Sequence, residues 1–357
     1  MTLEQKVQMW AFITVAAVTV GAGGLLMFDG GLHSYAVSLG SSRDDEEYSI
    51  MGFLRDSDEE TVIAGKTVET SHMKGHDFAM ELPAETDFSK ITYETDPMAK
   101  TFTFRVPGIE SNYFTDYTIA GKSDGITDMK YGSHEGYGTI EISFEKVTEV
   151  EPTVDGRYLY FDFKRPKEVY DKVVVIDAGH GGKDPGAGEK QAVHEKDLTL
   201  AILMKLKALF DEDTDHNIGV YYTRTTDYNP TLQSRVGLAN DSESDLFLSI
   251  HLNSTSSGRM SSISGTEVMY RTGDQTGASK AFAKCVQDHL LSALGSSDKG
   301  LVAGDEIYIV RTAKCPVALA EVGFMTNETE LANLSSDEYQ EKAAKAMYDA
   351  ILETLGY

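Results

Sequence analysis

Residues 173–182 read Val-Val-Val-Ile-Asp-Ala-Gly-His-Gly-Gly. Four β-branched residues in a row suit a strand buried on both faces, as in a parallel sheet covered by helices. The glycines that follow permit tight turns and would hold the His180 imidazole at the strand's end. Two further runs close in the same manner. Residues 245–251 (Asp-Leu-Phe-Leu-Ser-Ile-His) end on His251, followed by Leu252 and Asn253, and residues 317–322 (Val-Ala-Leu-Ala-Glu-Val) carry Glu321 in an otherwise apolar strand. Between them, residues 197–210 place Leu198, Ile202, Leu206 and Leu209 on one helical face. Residues 218–223, 265–270 and 306–310 read as strands, and 232–239 and 279–294 as helices. A last helix is expected from a capping box at Ser335 and Glu338, with Tyr339, Ala343, Met347, Ala350 and Ile351 facing inward. Strands alternating with helices over residues 172–357 predict a single layered α/β domain of sheet and helices.

Upstream the texture changes. Residues 73–166 hold short alternating runs, among them Lys-Thr-Phe-Thr-Phe-Arg-Val at 100–106, Thr-Ile-Glu-Ile-Ser-Phe at 139–144 and Tyr-Leu-Tyr-Phe-Asp-Phe at 158–163. Period-two alternation broken by Gly and Pro predicts a small all-β domain, with Asp155-Gly156 as a hairpin turn. His72, His76 and His134 are scattered among polar residues there and read as surface histidines. Residues 29–72 are polar and acidic and read as a linker, with Tyr48 to Leu54 as a candidate short element within it.

Residues 9–28 contain no charge, a length that suits a helix crossing a bilayer. Lys6 precedes this stretch and Asp44 to Glu47 follow it, so the charge bias leaves residues 1–8 in the cytoplasm and the remainder outside. On this reading residues 1–28 are a cytoplasmic stub and membrane anchor, and the other domains are extracytoplasmic. A cleaved signal peptide, ending near Ser34-Tyr35-Ala36, is the alternative and leads to secretion.

The 57 acidic and 32 basic residues leave a formal net charge of −25. Phosphate backbones would repel such a chain, so nucleic acid is excluded as a partner. The two cysteines, Cys285 and Cys315, are too few for a disulfide-built fold and read as small apolar residues.

Ligands in α/β sheets gather at the carboxyl ends of strands, and His180, His251 and Glu321 stand at three such ends. Glu195 lies fifteen residues after His180, at the start of a helix. Two histidines and a glutamate form a zinc ligand set that leaves a coordination position open for water. Glu321 is the candidate base for that water's proton, because a carboxylate in an apolar strand is costly unless it faces a polar cleft. Singly, each residue also has a plain reading: loop histidine, rim histidine, solvated helix-start carboxylate. His194 competes with Glu195 as ligand.

At these residues the chain resembles the zinc-dependent N-acetylmuramoyl-L-alanine amidases of the amidase 3 family. The similarity runs through Ile176 to Ala187, Tyr222-Thr223-Arg224, Glu195-Lys196-Asp197, Leu232 to Arg235, Ser249 to Asn253 and Glu321 to Asn327, and spans about residues 172–356. Ala178 stands where the family usually has proline, and Leu252 where it has alanine. No helical insertion separates His251 from Glu321 of the kind that blocks some division amidases. The resemblance implies peptidoglycan as partner, a Zn2+ ion on His180, Glu195 and His251, and Glu321 as the catalytic base. The bond cleaved would join N-acetylmuramic acid to the stem peptide's L-alanine. Asp177, Asp184 and Asn253 are the candidates for orienting the ligands. A zinc peptidase acting within the stem peptide, or a wall-binding relative without turnover, would share the fold. Whether a protein activator is needed stays open. Residues 73–166 more weakly resemble the AMIN domains that often precede this catalytic domain.

Overall fold

The computed structural model describes residues 35–42, 45–52, 61–63, 74–109, 119–121, 125–134, 136–188 and 192–357. The chain divides into two compact units, Met1–Lys164 and Arg165–Tyr357. The apolar stretch expected to cross a bilayer, residues 9–28, falls outside the described residues, as does His72. Among the described residues no helix is long and apolar enough to cross a membrane.

The first unit is built of strands. Where a linker was expected, β1 (Tyr35–Ser42) pairs with β2 (Asp45–Gly52), and β2 and β3 (Thr61–Ile63) pair with strands of the β-rich segment. None of the three carries the long continuous apolar run that announces a buried strand in sequence. The remaining strands are β4 (Phe78–Glu81), β5 (Thr92–Asp96), β6 (Thr101–Pro107), β7 (Ile119–Gly121), β8 (Ile126–His134), β9 (Tyr137–Phe144), β10 (Glu149–Asp155) and β11 (Tyr158–Lys164). They form two sheets, ordered β1-β2-β8-β9-β6-β5 and β10-β11-β4-β7-β3. The alternation read at 100–106 appears as Phe102, Phe104 and Val106 buried on one face of β6. These meet Phe78 and Phe161 from the other sheet, with ring centroids 4.7 Å apart for Phe104 and Phe161. Asp155 pairs with Tyr158 across a two-residue hairpin turn, with Gly156 at φ +62°. His76 is half-buried, its Nδ1 3.0 Å from an Asp162 oxygen and its ring stacked 4.7 Å from that of Tyr160.

The second unit is a six-stranded sheet flanked by helices. Its strands are β12 (Lys172–Ala178), β13 (Ile218–Tyr222), β14 (Leu246–Asn253), β15 (Thr266–Tyr270), β16 (Asp298–Ala303) and β17 (Val317–Phe324). The order is β13-β12-β14-β17-β15-β16, with the first four parallel and the β15–β16 pair running opposite to β17. Its helices are α1 (Pro166–Val169), α2 (Glu195–Glu212), α3 (Leu232–Asp241), α4 (Ala278–Leu294), α5 (Tyr308–Thr312), α6 (Glu328–Leu334) and α7 (Asp337–Leu355). Val173 to Ile176 have no exposed surface, as expected of a central parallel strand. Leu198, Ile202 and Leu206 of α2, Phe282, Val286 and Leu290 of α4, and Met347, Ala350 and Ile351 of α7 complete one continuous core with the sheet.

Two sequence expectations are corrected in this unit. Residues 306–310 do not form a strand: α5 occupies Tyr308–Thr312, and the strand is β16, in a glycine-bearing polar stretch. A short apolar run does not distinguish the two states, and β16 is an edge strand with no buried residue. The last helix starts one residue later than expected, on Ser336, whose Oγ accepts from Tyr339 N. The preceding turn belongs to α6, capped by Asn327.

Candidate active site

Strand register brings the site together. His251 on β14 pairs directly with Glu321 on β17, and Glu321 pairs with Glu267 on β15. Side chains in direct register share a face of the sheet, so three polar residues line up across three strands. β12 adds Gly179, whose N–H donates to Ile250 O at 3.0 Å. A Cβ at Gly179 would lie 2.3 Å from the His251 ring, so only glycine lets the imidazole lie against the end of β12.

The chain then turns through His180, which takes the left-handed conformation at φ +61°. For a residue with a Cβ this costs about 1–2 kcal/mol, and the loop is tied down to hold it. Gly181 and Asp184 exchange two backbone hydrogen bonds, of 3.1 and 2.9 Å, and Arg235 Nη2 donates to His180 O at 2.6 Å. His180 Nδ1 lies 2.9 Å from Asp184 Oδ2, which leaves Nε2 facing Glu195 Oε2 at 3.1 Å.

Glu195 opens α2, where the helix's unpaired amides favour negative charge. Its Oε1 accepts from Leu252 N at 2.9 Å and its Oε2 from Ala187 N at 2.7 Å; His251 Nδ1 lies 2.9 Å from Oε1. A Cβ at Gly186, where φ is +66°, would sit 2.5 Å from Glu195 Oε2 and 2.7 Å from His180 Cδ2. The chain thus leaves a cradle that side chains would fill. His194, the rival ligand, faces the other way, with Nδ1 3.5 Å from Asp197 Oδ2.

The electrostatics follow from this crowding. Burial opposes charge on Glu195, but hydrogen bonds from His180 and His251 outweigh it and hold the carboxyl well below its ordinary range. Burial likewise works against protonating His180, yet Glu195 and Asp184 raise its imidazole to about 9. Glu321 is the opposite case. Burial pushes its carboxyl up to about 7, with His251 pulling down and the Glu195 and Glu267 charges pushing further up. Its Oε2 is buried with no hydrogen-bond partner, a costly state unless something else comes to that oxygen.

Of the three residues expected to orient ligands, only Asp184 touches an imidazole. Asp177 lies one layer deeper. It is fully buried and accepts from Arg235 Nη1, Ser249 Oγ and, at 2.6 Å, Thr223 Oγ1. Arg235 Nη1 also donates to Ala178 O at 2.7 Å, so Asp177 anchors the strand end rather than a ligand. Asn253 donates to Glu267 Oε1 at 2.7 Å and hydrogen-bonds neither histidine. Glu267 was not anticipated: one acid in a short mixed strand carries no signal until strand pairing sets it beside Glu321. Arg224 was noticed only through the resemblance. Its Nε donates to Ala178 O and its Nη2 to Gly179 O, both at 2.9 Å, fixing the same strand end.

The residues present fit a divalent cation of the zinc class. One ligand atom each from His180, Glu195 and His251 lies within 4.8 Å of the others. Two imidazoles and a carboxylate are a catalytic zinc donor set, and the Asp184 carboxylate behind His180 is the support such ligands carry.

The family model described as N-acetylmuramoyl-L-alanine amidase matches residues 174–353, about half of the chain. The uncharacterized protein YqiI of Bacillus subtilis is 37% identical over 180 residues, covering 50% of this chain and 83% of that protein. The germination-specific N-acetylmuramoyl-L-alanine amidase of the same organism is 31% identical over 195 residues, covering 51% of this chain and 78% of that one. Among solved structures, the catalytic domain of CwlV, an N-acetylmuramoyl-L-alanine amidase from Bacillus (Paenibacillus) polymyxa var. colistinus, shares 36% identity. It covers 52% of this chain and 98% of its own, with a TM-score of 0.47. The chain belongs to the N-acetylmuramoyl-L-alanine amidase family.

Proposed function

We propose that residues 165–357 hydrolyse the amide joining N-acetylmuramic acid to L-alanine in peptidoglycan, with one Zn2+ held by His180, Glu195 and His251. The observation that carries this reading is Glu321. Its unpartnered buried oxygen lies in register with one histidine of the donor set, on the face where a substrate carbonyl would arrive. A bound zinc ion would lower the pKa of a water toward 7 and polarise the scissile carbonyl.

The protein's own groups supply the rest. With its carboxyl raised to about 7 by burial, Glu321 can take a proton from the attacking water and return it to the leaving amine near neutral pH. Asp184 holds the His180 ring with Nε2 turned inward. Glu195 is kept ionised by the two imidazoles and by two backbone amides. The substrate lies outside the cytoplasmic membrane, which agrees with residues 9–28 acting as an anchor or export signal. The all-β unit would then serve as an AMIN-like wall-targeting module.

The test is digestion of purified peptidoglycan by the wild type, a chelated sample and Glu321→Gln, with products read by mass. The wild type should release whole stem peptides, and chelation should stop it. Glu321→Gln should lose about 10²- to 10⁴-fold in rate while still binding one zinc ion at the triad. Release of peptide fragments instead would mean a stem-peptide peptidase. No release at all from the zinc-loaded wild type would mean a wall-binding relative without turnover.

A further inference from the structure

A second group of metal-type donors lies on the α4–α7 helix pair, away from the strand ends. Cys285 and His289 are four residues apart on α4, which sets them one above the other on a single face. Glu353, near the end of α7, reaches across to them, with its Oε2 2.8 Å from His289 Nε2. One atom from each of the three lies within 4.8 Å of the other two. Cys285 and His289 are half-buried at the edge of the core and Glu353 is exposed, so an ion can reach the group from the solvent side.

We propose that Cys285, His289 and Glu353 bind a second divalent ion of the zinc class, which pins the C-terminal helix α7 to α4. This site is independent of the hydrolytic reading and shares no residue with it. Thiolate, imidazole and carboxylate suit zinc, cobalt or cadmium, whereas magnesium and calcium demand oxygen ligands throughout. The plain alternative is a small apolar cysteine beside a surface His–Glu pair. That arrangement accounts for the pair but not for a thiol converging on it, since the Cys285 Sγ otherwise makes only a 3.6 Å contact to Ala350 O and a side-chain contact to Thr354. Burial pushes the thiol above its ordinary pKa, with Thr354 working against this and Glu353 adding to it. Binding must therefore expel a proton and should tighten as pH rises.

The probe is Co2+ added to the metal-stripped full-length chain and followed by absorbance. A thiolate bound to cobalt gives a sulfur-to-metal charge-transfer band, and the His180–Glu195–His251 triad contains no sulfur. We expect two ions per chain, one of them with the band. Cys285→Ser should abolish the band and leave one ion, without changing hydrolysis by the zinc-loaded enzyme. His289→Ala, at a half-buried position that leaves the core intact, should weaken the band-forming site by at least about 10-fold. A single ion with no band in the wild type overturns the proposal. A band that survives Cys285→Ser overturns it equally, since the sulfur would then be that of Cys315.

Discussion

Replacing Arg235 by methionine tests whether the buried charge pair beneath the site holds the His180 loop in place. Arg235 and Asp177 are 2% and 0% exposed. The guanidinium donates to Asp177 Oδ1, to the carbonyls of Pro230, Ala178 and His180, and to Asn229 Oδ1. Methionine fills similar volume but strips Asp177 of its counter-charge, leaving only the Ser249 and Thr223 hydroxyls as donors. Breaking one side of a buried pair costs about 3–5 kcal/mol. With a urea slope of about 2 kcal/mol per molar, the unfolding midpoint should fall by about 2 M. All the described α-helices lie in residues 165–357, so circular dichroism at 222 nm follows this unit.

Asp177→Asn should cost a comparable amount, because it leaves the Arg235 cation unpaired. The double variant should then be clearly less damaging than the sum of the two. Acid provides a second check. Burial opposes the Asp177 charge, but Arg235 outweighs it and the carboxyl is held below its ordinary range. Its contribution is therefore complete above the unfolded value of about 4 and is lost as pH falls through the lower folded value. The stability gap between wild type and Arg235→Met should narrow in that acid range. A midpoint shift under about 0.5 M at neutral pH, or strict additivity in the double variant, would refute the reasoning.

Three other outcomes follow from the same geometry. Gly179→Ala should weaken zinc binding at the triad by at least about 10-fold, measured by chelator competition, because the new methyl would lie 2.3 Å from the His251 ring; unchanged affinity would mean that His251 is not held there. Gly237→Ala is its counterpart within α3, with nothing within 4 Å of the added carbon. It should raise stability by about 0.5–1 kcal/mol in a urea melt, and a loss would contradict the open space seen there. Asp184→Ala frees the His180 ring and should lower zinc affinity about 10- to 100-fold, while a melt of the metal-free protein should change little because Asp184 is half-exposed.

The sequence by itself determined the α/β class of residues 165–357 and most of its elements, and it picked out His180, Glu195 and His251, which the fold brings together. That was possible because buried parallel strands are continuous apolar runs, and because the glycines around His180 mark a backbone that turns tightly at the strand's end. Period-two alternation marked the interior strands of the first unit for the same reason. Tertiary structure alone decided what depends on register and pairing. The edge strands β1 and β16 carry no long continuous apolar run, so their existence rests on neighbours rather than on pattern. Glu267 became part of the site only when β15 paired with β17, and there Asn253 holds Glu267 rather than a histidine. Asp177 was read as a support for the imidazoles. The fold instead makes it the buried anchor of Arg235, because a strand residue two places before Gly179 points into the core, where its charge needs a counter-ion.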